Sequence, residues 1–532
     1  MPVRADDLVL AVDLGSSVVK VGLATLEGKV VSWTSEPLHT DFGPGGRVTQ
    51  DADAWWEVVT ASARGCLADG PVDGGRVVAV CVTGQWASTV PVDATGRPVG
   101  PCLMWSDTEG APHSRAVVGG RVQGYRASAL ATWVRRTAGV PSTSGADPVG
   151  HMLHLERDEP DVARAARWYL EPVDALAMRF TGVAAASPAS MTAAWLTDNR
   201  HLDRLAYDPV LVRRVGLDGD KLPPLVATGS VVGPVLPEVA AALGISPEAV
   251  VVTGVPDLHA AALGSGCIRD HEAHFSIGTT AWVSCPLPGK RTDLFRQMAT
   301  VPGLAPGSYL LGNNQETAGR CLEWFARVLA GDDGGRSPAY DELTALAATS
   351  PPGAGDVIFT PWLAGERSPI DDRAARGGFH HVSLATTRAD LVRAVLEGVA
   401  FNARWLLEAA DHVAGRRLAP LRLVGGGTQS LLWCQILADV SRRPVERVAE
   451  PLLTGLRGVA LLSGLALGVV HREDVRGLVP VDASLEPAPG PAETYDRLFT
   501  EFTGLYRAQR RMFAHLDGRS RGPGDPAGSV AR

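Results

Sequence analysis

Val12-Asp13-Leu14-Gly15-Ser16-Ser17, with Lys20 three residues on, is the stretch from which the fold can be read. A carboxylate closes a strand, and a turn of glycine and hydroxyls follows at once. The run Leu8 to Val12 is apolar enough for a strand covered on both faces. Val18 to Ala24 reads as a second strand, and Gly28 turns the chain into a third, Val30 to Trp33. A tight Gly-Ser-Ser hairpin offers backbone N–H groups and hydroxyls to an anion, and Lys20 adds positive charge. Asp13 would repel a phosphate unless a divalent cation sat between them, where hard oxygen ligands suit Mg²⁺. Taken alone, the stretch reads equally well as an ordinary hairpin with a solvated aspartate.

The device recurs half a chain later. His274 to Thr280 is again strand, glycine (Gly278) and paired hydroxyls (Thr279, Thr280), leading into a strand from Ala281 to Ser284. One such hairpin in each half implies two similar domains facing across a cleft, a weak duplication of otherwise diverged halves.

Length and composition agree. The chain has 532 residues, more than one ordinary core, so two large domains are expected. Hydrophobic content of 45% and charged content of 20% are those of a soluble globular protein. A net charge of −8, with no Lys/Arg block, argues against a nucleic-acid partner. The 7 cysteines are scattered without a CxxC pair, which favours reduced thiols in a cytoplasmic protein. Neither a signal-peptide run nor a segment of about 18 apolar residues is evident, so no membrane span is expected. The end of the chain, 516–532, is rich in Gly, Pro, Ser and Arg and is expected to be a disordered tail.

Periodicity gives the coarse order. Helices are expected over Ala54 to Leu67, Pro148 to Arg157 and Val173 to Phe180, and strands over Val77 to Val82 and Ala249 to Gly254. A turn-rich segment, Leu222 to Gly233, precedes a helix starting at Pro237. The domain boundary is placed between about residues 250 and 270. A long helix, Arg388 to Ala410, buries Leu391, Val395, Val399 and Leu406, with Thr387 as N-cap and Asp390 at N3.

Two further motifs carry chemistry. In Val252 to Asp257 a strand ends and Asp257 opens an Ala-rich helix. The carboxylate either caps that helix or serves as a general base at a sheet's C-terminal edge. In Leu421 to Ser430 a strand meets Gly425, Gly426 and Gly427, so that backbone can approach a flat or phosphorylated ligand. Ser430 spoils the dinucleotide fingerprint, and the P-loop pattern is absent. A dehydrogenase using these glycines would leave both hairpins unexplained.

Other residues read blandly. His271 and His274 have HExH spacing and do not share a helix face. His151 and His154 lack an evident third ligand and read as surface or packing histidines. Arg442 and Arg443 read as a solvated helix end, Trp55, Trp56 and Trp324 as packing residues, and Glu366 with Arg367 as an internal ion pair supporting the cleft. His259 is a minor candidate for substrate contact.

The chain resembles the FGGY carbohydrate kinases, most closely the xylulokinase-like members. The resemblance runs from about residue 8 to about 470. It rests on VDLGSSVVK (12–20), GRVTQDADAWW (46–56), TGQ (83–85), WSD (105–107), LPPLV (222–226), VTGVPDLHAAALGSG (252–266), SIGTT (276–280), LAGERSP (363–369), RAVLEGVAF (393–401) and GGGTQSLLWCQILADVSRRPV (425–445), all in family order. It implies an α/β fold of two ribonuclease-H-like domains, 8–255 and 256–515, with ATP in the cleft between them. Asp13 with Mg²⁺, Gly15, Ser16, Ser17 and Lys20 would hold the phosphates from one side, and Gly278, Thr279 and Thr280 from the other. Gly425, Gly426, Gly427 and Gln429 would border adenosine. Asp257 would be the catalytic base, and Gln85, Trp86 and Asp107, with Asp257, would bind a small sugar. The family habit is a cytoplasmic homodimer.

Departures from the pattern fall on the sugar side. Trp86 and Ala87 replace methionine and histidine, Leu258 replaces asparagine, Glu109 stands near the place of an arginine, and His381 and Thr386 replace glycine and histidine. A ketopentose such as D-xylulose is the expected acceptor. Another ketose or polyol, or a non-catalytic binding role, are the alternatives.

Overall fold

The computed structural model describes residues 3–69, 72–330 and 337–520. Its first sheet contains β1 (Leu8–Leu14), β2 (Val18–Thr25), β3 (Val30–Pro37), β4 (Val77–Gly84), β5 (Val231–Pro234) and β6 (Val250–Pro256), in the spatial order β5-β6-β4-β1-β2-β3. β1–β2–β3 form an antiparallel meander, β4 and β6 add in parallel to β1, and β5 closes the edge antiparallel.

β1 has buried side chains on both faces, and its alternation divides it between two cores. Leu8, Leu10, Val12 and Leu14 meet Trp55 and Val59 of α1 (Ala52–Asp69). The same core holds Val173 and Phe180, from the helix Pro172–Thr181. Val9 and Ala11 face the other way. Two more helices lie in this half, α2 (Ala111–Val118) and α3 (Pro148–Asp158).

α4 (Asp257–Gly264) leads from the first sheet to a second one. The second sheet holds β7 (Ala273–Ile277), β8 (Ala281–Leu287), β9 (Thr292–Asp293), β10 (Met298–Pro302), β11 (Tyr309–Gln315), β12 (Leu421–Val424), β13 (Val445–Val448) and β14 (Val481–Leu485). Its order is β9-β10-β11-β8-β7-β12-β13-β14. β11-β8-β7-β12-β13-β14 repeats the first sheet strand for strand in order and direction. The duplication hinted at by two hairpins is therefore a duplication of whole sheets.

α5 (Arg388–Ala414) runs through the second core with Val395, Val399 and Leu406 buried. The expected capping box forms, Thr387 Oγ1 accepting from Asp390 N–H at 3.2 Å and Asp390 accepting from Thr387 N–H at 2.9 Å. α6 (Leu431–Ser441) follows β12, and α7 (Thr454–Ala466) crosses back, placing Leu456 and Ala460 against Val9 and Ala11 of the first sheet. α7 and α4 touch backbone to backbone: a Cβ on Gly458 would lie 1.9 Å from Ala260 O.

Several expectations need correction. The turn-rich segment includes β5, whose Gly233 and Pro234 hide the strand signal. α8 (Ala492–Ser520) continues into the expected tail because Phe513 packs against Trp362; residues 521–532 lie outside the described part. Arg443 is not solvated but buried and bidentate to Asp411, at 2.9 and 2.7 Å. Arg367 pairs with Glu316 at 2.9 Å rather than with Glu366, which accepts Arg367's own N–H at 2.8 Å. Cys66, Cys81, Cys102, Cys267, Cys285, Cys321 and Cys434 are buried and form no disulfide. No described helix is long and apolar enough to cross a membrane.

Candidate active site

Three strand ends line up. Leu14 of β1 is in register with Gly84 of β4, and Gly84 with Pro256 of β6. The Gly15–Ser17 hairpin, Gln85 and Asp257 therefore leave one C-terminal sheet edge, with β1 and β6 separated by roughly 10 Å. Close contact fixes this edge: Gln85 N–H donates to Leu14 O at 2.7 Å, and a Cβ on Gly84 would fall 2.2 Å from the same oxygen.

Asp13 faces Lys20 across the hairpin, with Nζ 3.1 Å from Oδ2. Oδ2 also abuts the first turn of α7, where a Cβ on Gly455 would lie 2.6 Å away. The hydroxyls of Ser16 and Ser17 make no hydrogen bond among the described residues. Donors and hydroxyls are thus left open at the end of β1.

Asp257 is the first residue of α4. Its Oδ1 accepts Leu258 N–H at 2.7 Å, so it satisfies one donor of the helix start while Oδ2 accepts nothing from the described residues. Asp257 is exposed to solvent, with protein atoms crowding one side of it. That partial desolvation, opposed by the Leu258 N–H and reinforced by the charge of Asp13, pushes its pKa up to about 6.

Gln85 is buried and donates to Gln50 Oε1 at 3.1 Å. Gln50, which the sequence reading did not single out, also donates to Ser16 O at 2.7 Å and accepts from Trp55 Nε1 at 3.1 Å. One amide thus ties Gln85 to the Gly15–Ser17 hairpin. Gln85 Oε1 is buried without a partner. Trp86 donates to Ser190 O at 2.6 Å and meets His259 edge-on at 6.3 Å. Trp86 and Leu258, two of the apolar replacements, share a cluster with Trp195, Val301 and Leu310 that joins the halves. His259 is buried against Pro302 O at 2.8 Å, and burial lowers its pKa to about 4, so it is a neutral packing group. Asp107 is also buried, accepting Val48 N–H at 2.7 Å and Glu109 N–H at 3.0 Å. Burial raises it to about 6 against those two bonds. Its carboxylate braces the turn at residues 105–109.

The second sheet presents a matching edge. Gly278 N–H closes its hairpin on Thr280 O at 2.9 Å, and the Thr279 and Thr280 hydroxyls make no hydrogen bond among the described residues. Beside it, β12 ends at Gly425, whose φ of 89° and close approach to Ile277 O exclude a side chain. Gly426–Gln429 then make a turn before α6, with Gln429 exposed.

The link Pro451–Gly455 joins the two edges. Gly425 N–H donates to Pro451 O at 3.2 Å, and four residues later Gly455 touches Asp13. That span covers at most about 14 Å, so the glycine turn of one half and the carboxylate of the other lie within reach of one extended ligand. Sequence reading passed over this link; its only signal is Pro451 followed by Gly455 at a helix start.

The chain matches the N-terminal domain model of the FGGY family of carbohydrate kinases over residues 8–264, and its C-terminal domain model over 273–467. It is 26% identical to a xylulose kinase of Staphylococcus epidermidis over 96% of this chain and 98% of that protein. Identity is 31% with a xylulose kinase of Streptomyces rubiginosus, over 92% and 95% of the two chains. The crystal structure of xylulose kinase from Rhodospirillum rubrum superposes with a TM-score of 0.81 at 27% identity, over 95% of this chain and 100% of that one.

Proposed function

The chain belongs to the FGGY family of carbohydrate kinases and is an ATP-dependent sugar kinase, and on that premise we propose that it phosphorylates a ketopentose such as D-xylulose, with Asp257 as the base. The observation that carries the assignment of the base is the shared edge: Asp257 Oδ2 is open, stands two strands from the Asp13 hairpin, and has a pKa of about 6. At that value the group is ionised at neutral pH yet basic enough to take a proton.

Gly15, Ser16, Ser17 and Lys20 hold the phosphates from the first half, and Gly278, Thr279 and Thr280 from the second. Gly425, Gly426, Gly427 and Gln429 border adenosine. Gln85 and Trp86 line the acceptor, and Asp107 sets the wall behind it. Residues 8–255 thus hold the acceptor and 256–515 the nucleoside. Asp13 fits a hard divalent cation, because its carboxylate is a hard oxygen ligand and Oδ1 carries no protein hydrogen bond among the described residues. When bound, Mg²⁺ would offset charge on the phosphate oxygens. The acceptor oxygen attacks phosphorus in line, the bond to ADP breaks, and the proton passes to Asp257 Oδ2. Positioning dominates such a transfer, and the base adds about 10²–10⁴-fold. Buried cysteines that form no disulfide accord with a cytoplasmic protein.

A coupled ADP-release screen with D-xylulose, other ketoses, aldoses and polyols tests the proposal. The highest kcat/KM is expected with a ketopentose, and silence across the panel would overturn it. The Trp86–Leu258 cluster favours a second reading, a ketose or polyol lacking one hydroxyl on that side, because apolar walls reward such an acceptor. The same screen ranks the two.

A further inference from the structure

Behind the 105–109 turn, α2 and α3 bring together a group that the kinase reaction does not use. His113 Nε2 lies 2.6 Å from Asp158 Oδ2, and His154 Nδ1 lies 3.0 Å from the same oxygen. His154 and Asp158 are four apart on α3 and share a face; His113 comes from α2 opposite. The three donor atoms lie within 4.8 Å of one another. Donors around a tetrahedral Zn²⁺ sit roughly 3.3 Å apart, given bonds of about 2.0–2.1 Å. A small rotation of the half-exposed Asp158 carboxylate opens the group to that spacing.

The other side of His154 provides an independent sign. Its ring is buried, with 9% side-chain exposure, and Nε2 has no hydrogen-bond partner although Glu159 Oε1 lies at 3.5 Å and Glu109 Oε2 at 3.6 Å. A histidine that ligates through one nitrogen usually directs the other N–H at a carboxylate. His154 is disposed that way: Nδ1 faces His113 and Asp158, Nε2 two carboxylates. Arg47 offsets part of the acidic charge, at 3.2 Å from Glu109 and 2.9 Å from Glu159. The exposed Arg157 lies 3.3 Å from His113 Nδ1.

We propose that His113, His154 and Asp158 form a site for a borderline divalent transition cation, Zn²⁺ being the natural probe, with Glu109 and Glu159 as its outer carboxylates. Imidazole donors select such ions over Mg²⁺, so the site is separate from nucleotide chemistry. A cation on His113 Nε2 requires the ring proton on Nδ1, so Arg157, which faces Nδ1, must turn outward. Glu109 connects the cation to the acceptor wall, since its N–H is held by Asp107.

The test is Zn²⁺ titration of the metal-stripped full chain by calorimetry and by competition with a chromophoric chelator. One equivalent is expected to bind in the micromolar range or tighter. His113→Ala and Asp158→Asn should each weaken it tenfold or more, and Glu109→Gln by about tenfold. Arg157→Ala should tighten it. ADP formation by His113→Ala, assayed with Mg²⁺ alone, should match the parent and shows that the variant is folded. Absence of Zn²⁺ binding, or binding unchanged in both His113→Ala and Asp158→Asn, would overturn the site and leave a histidine–carboxylate ion network.

Discussion

Asp13, near the end of β1, and Asp257, directly after β6, stand two strands apart in one parallel array, and the charge of Asp13 adds to desolvation in lifting Asp257 to about 6. A base with that value must be ionised to act. We therefore expect kcat/KM to rise about tenfold per pH unit below 6 and to level above it. In Asp13→Asn the residual activity should show the same limb displaced to lower pH, because the repelling charge is gone. A pH–rate profile of both proteins checks this, and an unmoved limb would separate the two carboxylates.

The same shift has a stability consequence. The folded carboxyl holds its proton to a higher pH than the unfolded one, whose value is 3.8. Stability is therefore lost as pH rises between 3.8 and about 6. Asparagine removes that loss. Asp257→Asn should melt at or above the parent temperature at pH 8, with the difference shrinking toward pH 4, as thermal denaturation at several pH values would show.

α4 and α7 meet backbone to backbone at Gly458. A methyl at Gly458 would lie 1.9 Å from Ala260 O, so Gly458→Ala must push apart the helix that carries Asp257 and the helix that begins at Asp13. A destabilisation of about 1–3 kcal/mol is expected, with a larger fractional loss of kcat than of expression. Unchanged melting and turnover would refute the contact.

Gln50 and Gln85 separate two effects. Gln50 holds both Gln85 and Ser16, whereas Gln85 leaves its Oε1 without a partner and is the residue proposed to line the acceptor. Gln85→Ala should raise the acceptor KM roughly tenfold and leave that of ATP near its parent value. Gln50→Ala should raise both. Steady-state kinetics with each substrate varied decide the matter.

The hairpin at Asp13 and its echo at Gly278 were legible because strand, glycine and paired hydroxyls are local patterns. Asp257 could be read as a helix-opening carboxylate, but whether it caps or catalyses depends on β4 and β6 pairing in register, a non-local fact. Gln50 escaped notice because a single amide between ordinary residues has no periodic signature; its role exists only where three segments meet. The Pro451–Gly455 link was missed for the same reason. Arg443 was misjudged because Asp411, its partner, lies 32 residues away. His154 looked idle beside His151, since its real neighbours come from α2 and from its own helix one turn on.

The most direct test of Asp257 as the base measures Asp257→Asn in two ways at once: ADP release with the best acceptor, and ATP affinity by calorimetry. We expect turnover to fall by about 10²–10⁴-fold while ATP affinity stays within a few-fold of the parent. Near-parental turnover in this variant would contradict the assignment.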